Sequence, residues 1–209
     1  MTEGGKPRKA RDDPVSHATG TLPDMGTLCL SCRRLGSYAV CGPCVGALKR
    51  APERLLSTNL RAQAAFLHAG PARAIVHNFK YRGIARAGRF LAESMAPLVP
   101  ENCTLVPLPR VDWRLLRYGI DPAPELARLL GALTGQPVSQ LLAVPIVSPD
   151  QARRSRSDRR PPMFMLRNQA PGPLVIVDDV VTTGGTLESA HRLFGSAVVM
   201  ALTATASAR

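Results

Sequence analysis

Apolar residues are distributed along the chain in two patterns. Three stretches are short and almost unbroken: Thr104–Pro107 (TLVP), Leu174–Val177 (LVIV) and Ala197–Leu202 (AVVMAL). A strand covered on both faces has no polar side to show, so such runs read as buried strands. Leu174–Val177 is the clearest, and Val138–Val144 is a weaker candidate of the same kind. Longer stretches read as helices: Ala51–Leu67, Ala72–Tyr81, Ile84–Leu98, Asp121–Leu133 and Gly185–Phe194. Leu91, Met95 and Leu98 share one face at helical spacing. Pro52 is tolerated in a first turn, Gly83 breaks two helices apart, and Asp121 is a candidate N-cap with Pro122 at the first helical position. Strands alternating with helices predict an α/β fold with a mainly parallel sheet flanked by helices.

The pattern also divides the chain. Residues 1–27 are polar, mixed in charge and without periodicity, and are expected to form a disordered tail. Residues 28–50 hold a compact cysteine module, and residues 51–209 form the α/β domain. Ser148–Pro162 reads as a polar, Arg-rich loop. Apolar residues make up 45% of the chain and aromatics only 4%, so the core is expected to be built from Ala, Leu and Val. No apolar run approaches the ~20 residues that span a bilayer. Met1–Met25 lacks the apolar centre of a signal peptide. The expected location is the cytoplasm, without membrane insertion. A formal net charge of +12 favours polyanionic partners, or else reflects arginines on a solvated surface.

The most informative stretch is Leu174–Ala190, LVIVDDVVTTGGTLESA. An apolar strand runs into two acids, then a loop of small residues, then a helix. That order puts the loop at the carboxyl end of a strand, where parallel sheets bind ligands. Gly184 and Gly185 let the backbone approach a ligand, and Thr182, Thr183 and Thr186 add hydroxyls. The first amides of the following helix favour an anion. Asp178 and Asp179 would not suit a bare phosphate, but they suit vicinal hydroxyls or a divalent metal. An anion cradle beside an acid pair describes a site for a ribose 5-phosphate. These residues resemble the signature of the type I phosphoribosyltransferases: Leu174–Val177, the acids Asp178 and Asp179, Val180 and Val181, then Thr182–Thr186. The resemblance implies that the acids hold the ribose hydroxyls, directly or through Mg²⁺, and that the loop holds the 5-phosphate.

Cys29-Leu-Ser-Cys32 and Cys41-Gly-Pro-Cys44 are two CxxC pairs. Four thiolates satisfy a tetrahedral structural Zn²⁺. The competing readings are two disulfides, which the cytoplasm disfavours, or a redox pair, which needs only one CxxC. Cys103 stands alone before a strand and reads as a buried thiol.

A four-cysteine module ahead of this phosphate motif resembles the ComF family, which includes the GntX-like proteins. Phe79–Gly83 resembles the family's Lys-Tyr-x-Gly stretch, and Leu105–Pro109 its Val-Pro-x-Pro strand end. Gln151–Arg159 resembles its Gln-x-x-x-Ser-Arg-x-x-Arg stretch, with Gln151, Ser155, Arg156 and Arg159 in step. The likeness covers roughly residues 28–205. It implies a type I phosphoribosyltransferase-like fold with a small N-terminal zinc knuckle, and a phosphoribosyl pyrophosphate site. It also implies a role in DNA uptake during natural transformation, with single-stranded DNA and an import helicase as partners. The alternative is an active phosphoribosyltransferase of nucleotide salvage, working with Mg²⁺.

Transfer chemistry needs cations where pyrophosphate leaves, and a lid that excludes water. Arg110 and Arg114 follow the strand at Thr104–Pro107, and Lys80 is placed to reach the same pocket. With Asp178 and Asp179, Arg110 and Lys80 are the candidate catalytic residues. Gln151, Arg153, Arg154, Arg156 and Arg159 are candidates for a lid or a DNA-binding surface. Stacking residues are few: Tyr81, Trp113 and Tyr118. His68, His77 and His191 fall on expected helices and read as packing or surface residues.

Overall fold

The computed structural model describes residues 27–109, 120–144, 164–168 and 172–208. In chain order the elements are β1 (Thr27–Leu28), β2 (Leu35–Gly36), α1 (Gly42–Gly46), β3 (Arg54–Leu55) and β4 (Arg61–Leu67). They continue with α2 (Gly70–Arg82), α3 (Ala85–Met95), β5 (Thr104–Pro107), α4 (Pro122–Thr134), β6 (Leu142–Ala143) and β7 (Met165–Leu166). The last are β8 (Leu174–Val181), α5 (Gly185–Phe194) and β9 (Val198–Ala206). The main sheet has the order β3-β4-β9-β8-β5. The pairs β4–β9, β9–β8 and β8–β5 are parallel, and the short edge strand β3 is antiparallel to β4. The α/β class with a mainly parallel sheet is therefore as the pattern of runs predicts.

One expected element is replaced. Ala51–Leu67 reads as a helix but forms the β3–β4 hairpin. Asn59 turns the chain with a left-handed φ of 58°, and Leu56 donates its N–H to Leu60 O at 2.9 Å. The alanines that favour a helix in isolation are here buried strand residues, paired in parallel with β9. Ala62, Ala64, Ala65 and Phe66 are all buried. Other boundaries move less. β8 continues through both acids to Val181, and β9 begins after a 3-10 turn at Gly195–Ala197. Of Val138–Val144, only Leu142–Ala143 is strand, with a single bridge from Val138 to Leu105. Asp121 precedes α4 in extended conformation, but its side chain makes no capping hydrogen bond; Pro122 opens the helix as expected.

Gly83 closes α2 at a φ of 63°, and its successor Ile84 donates to Asn78 O. This left-handed stop swings α3 back against α2. The approach is close: a Cβ on Gly88 would stand 2.5 Å from the Phe79 ring. α2, α3 and α4 cover one face of the sheet, with Phe79, Leu91, Leu126 and Val177 in one core. α5 covers the other, with Leu187 and Ala190 against Ile176 and Ala201. The chain leaving β5 thus goes to one face and the chain leaving β8 to the other. A change of face between successive connections of a parallel sheet marks the carboxyl ends of those strands as the place where such sheets take ligands. Among the described residues, no helix is long and apolar enough to cross a membrane.

Candidate functional site

The end of β8 builds the crevice. Side chains alternate along a strand, so the neighbouring acids point to opposite faces. Asp178 is half-buried and lines an open pocket with Val180 and the loop from Thr182 to Leu187. Asp179 is buried on the α2 side, where Lys80 Nζ meets its Oδ2 at 2.8 Å. The two acids are also joined directly, because Asp179 N–H donates to Asp178 Oδ1 at 2.8 Å. The pair therefore has one carboxylate facing the pocket and one facing a half-buried cation.

The loop is shaped by its glycine. Gly184 has a φ of 94°, which side chains other than hydrogen rarely tolerate, and a Cβ there would meet Leu56 at 2.8 Å. Its carbonyl accepts the Glu188 N–H at 2.9 Å, so α5 starts there. The amides of the first turn have no partner within the helix and open onto the pocket beside Thr182, Thr183 and Thr186. The second wall comes from the β3–β4 hairpin. Arg54 donates to Thr182 O at 3.4 Å. Ser57 gives Glu188 Oε1 both its backbone N–H, at 2.7 Å, and its hydroxyl, at 2.6 Å. The Ser57 hydroxyl, against some opposing burial, holds the Glu188 carboxyl below its ordinary range.

His68 lies between β4 and α2, not on a helix, because the segment before it is a strand. It stands at the carboxyl edge of the sheet, with Nδ1 2.8 Å from Thr205 Oγ1 and its backbone N–H donating to Ala206 O. Burial lowers its pKa; Arg73 adds to this, Asp179 opposes it and Lys80 lowers it further. His68 therefore shares the electrostatic environment of the Lys80–Asp179 pair. Reading β4 as a strand is the signal that would have placed it there. His77 is exposed on α2, its ring 4.8 Å from that of Tyr81. Lys80 also lies over the Tyr81 ring, at 5.8 Å. His191 sits on the last turns of α5. Arg54, which touches the loop, drew no notice in the sequence, since only the hairpin brings it there.

The four cysteines converge. The sulfurs of Cys29, Cys32, Cys41 and Cys44 lie within 4.8 Å of one another. Cys32 Sγ and Cys41 Sγ are 3.6 Å apart. Tetrahedral Zn–S bonds of about 2.3 Å put sulfurs about 3.8 Å apart, so the cluster fits a zinc ion. All four are free thiols and no disulfide joins them. Burial raises the Cys29 pKa, but N–H donors from Cys41, Ser31 and Cys32 outweigh it and bring the thiol to about 6. Cys44 is pushed up to about 12 by burial and by the thiols around it. Such a set ionises fully only around a cation. The cluster is fixed to the body by Asn78, whose Nδ2 donates to Leu30 O at 2.6 Å, and by Arg86, which donates to Leu28 O. Cys103 is buried, as expected, and its thiol faces Pro100 O at 3.3 Å.

Lys80, Asp178, Asp179 and the Thr182–Thr186 loop are thus gathered at one edge of the sheet. Arg110, Arg114, Trp113, Tyr118, Gln151, Arg153, Arg154, Arg156 and Arg159 lie outside the described residues. No protein-family model and no curated protein matches the chain. Among solved structures it is similar to the crystal structure of orotate phosphoribosyltransferase from Aeropyrum pernix. Identity is 16% and the TM-score 0.32, over 76% of this chain and 74% of that one.

Proposed function

We propose that this chain binds a ribose 5-phosphate group, carried by phosphoribosyl pyrophosphate with Mg²⁺, in the crevice at the end of β8. The observation that carries the reading is the loop itself. Its left-handed Gly184, the open amides of α5 and three threonine hydroxyls are complementary to a phosphate, and Asp178 stands at the rim where the ribose hydroxyls follow. Asp178 contacts the sugar or the metal. Asp179 acts through its pair with Lys80 and its bond to the Asp178 carboxylate. Mg²⁺ prefers hard oxygen ligands and usually takes one or two carboxylates besides the substrate's phosphates, a set that Asp178 fits. When bound, the metal neutralises charge on the leaving pyrophosphate. The cysteine cluster holds a structural zinc ion, and Arg110 with Arg114 completes the pyrophosphate side.

The biological role we assign is that of a ComF-like protein of DNA uptake. Its support is the sequence resemblance together with the net charge of +12, which favours single-stranded DNA along the Gln151–Arg159 stretch and contact with an import helicase. A second reading, an active phosphoribosyltransferase, is favoured by the acid pair and Lys80, which a pure scaffold does not need.

Calorimetric titration of phosphoribosyl pyrophosphate, with and without Mg²⁺, tests the site. Binding that requires Mg²⁺ and is lost in Asp178→Ala/Asp179→Ala supports it; no binding by the wild-type chain removes it. Pyrophosphate release with bases or amines separates enzyme from scaffold. Salt-dependent binding of short single-stranded DNA, weakened when Arg153, Arg154, Arg156 and Arg159 are neutralised, tests the uptake role.

A further inference from the structure

We propose that the tip of the β3–β4 hairpin is the positioning element of the phosphate loop, with Arg54 as its charge-bearing member. The inference rests on the phosphate-site reading above and adds residues to it that no motif contains. Three contacts carry it, and they fall at intervals along the loop. Arg54 donates to Thr182 O at 3.4 Å. The Leu56 side chain lies 2.8 Å from where a Cβ on Gly184 would be. Ser57 holds Glu188 Oε1 by two donors. The start of the loop, its glycine and the first helical turn are each held by the hairpin.

The first contact fixes more than a carbonyl. In a trans peptide the C=O of one residue and the N–H of the next point in opposite directions. Holding Thr182 O on the Arg54 side turns the Thr183 N–H the other way, and Thr183 lines the pocket. Arg54 is 9% exposed. Its guanidinium stays charged, so a fixed positive charge stands behind the loop where water screens it weakly. The third contact removes an obstacle. Glu188 is in the first turn of α5, where a carboxylate competes with a bound anion for the open amides. Ser57 engages its carboxylate elsewhere. The hairpin itself is stiff: Glu53 takes Arg61 by two bonds, both 2.9 Å, and Gln63 by a third at 2.6 Å. Arg54 does not line the pocket, so it is a positioning residue and not a catalytic one.

The test titrates ribose 5-phosphate into the full chain by calorimetry and follows the Thr183–Gly185 amide resonances of the ligand-free protein. Arg54→Met should weaken binding roughly tenfold and shift those resonances, whereas Arg54→Lys, which restores the charge, should recover most of the affinity. Ser57→Ala, a change at an exposed residue, should weaken binding about threefold by freeing Glu188. If Arg54→Met does not fold, Ser57→Ala decides alone whether the hairpin positions the loop. Unchanged affinity in Arg54→Met and Ser57→Ala, with the wild type binding normally, overturns the positioning role and leaves the site reading intact. Equal losses in Arg54→Met and Arg54→Lys overturn the charge. Failure of the wild type to bind ribose 5-phosphate overturns the site reading and this proposal with it.

Discussion

Replacing Lys80 by Met leaves Asp179 without the cation it faces. The pair is 2.8 Å apart, with side-chain exposures of 18% for Lys80 and 2% for Asp179. At an effective dielectric constant of about 20 the attraction at that distance is about 6 kcal/mol. Desolvating both groups takes back several kcal/mol, so removing one partner should cost about 3 kcal/mol, at the lower end for buried pairs because Lys80 keeps some solvent. For a chain of this size that lowers the melting temperature by roughly 6–12 °C. Urea unfolding of wild type, Lys80→Met, Asp179→Asn and the double variant isolates the pair. The double variant should be more stable than the sum of the single losses implies, by about 2 kcal/mol, because it buries no uncompensated charge. Ligand binding should weaken in Lys80→Met as well, because Asp179 N–H orients the Asp178 carboxylate. Additive effects, with a coupling below about 0.5 kcal/mol, would falsify the view that the two residues act as a unit.

Gly184→Ala should cost about 1–3 kcal/mol, from its φ of 94° and the 2.8 Å approach to Leu56, and should abolish ribose 5-phosphate binding. Adding Leu56→Ala relieves the contact but not the backbone, so calorimetry should still find no binding. The purified chain should carry one zinc per molecule by metal analysis, and Cys29→Ser or Cys41→Ser should lose both the metal and several degrees of thermal stability. His68 is held below its ordinary value of 6.5 by burial first. Below that value the unfolded chain binds the proton more readily than the folded one, so stability should fall as pH drops from about 6.5. Melting curves between pH 7.5 and 5.5 should show this loss in the wild type and a smaller one in His68→Gln; equal slopes would count against it.

The Thr182–Thr186 loop is legible because its strand is unbroken, its acids adjacent and its glycines local, and none of these depends on distant residues. Gly83 and Pro122 were legible for the same reason, since each acts on its own backbone. The β3–β4 hairpin was not. Its alanines carry a helical preference that parallel pairing to β9 overrides, and pairing across that distance in sequence leaves no local trace. The consequence spreads: a helix over Ala51–Leu67 leaves Arg54, Leu56 and Ser57 no reason to be near Thr182–Glu188, and only the strand brings His68 to the sheet edge. The split between Asp178 and Asp179 follows from strand periodicity, but it becomes visible only once β8 is known to continue past Val177.

Asn78 and Lys80 sit on the same stretch of α2, one reaching the carbonyl of Leu30 between two cysteines and the other reaching Asp179. Cys29, Leu30 and Val40 belong to the same packed interior as Phe79 and Ile75. The Thr182–Thr186 loop is therefore not a portable cassette. A fragment cut after Gly46 would bare the underside of the helix that steadies the acid pair, and grafting the loop onto another α/β frame would carry over its shape without its counter-charge.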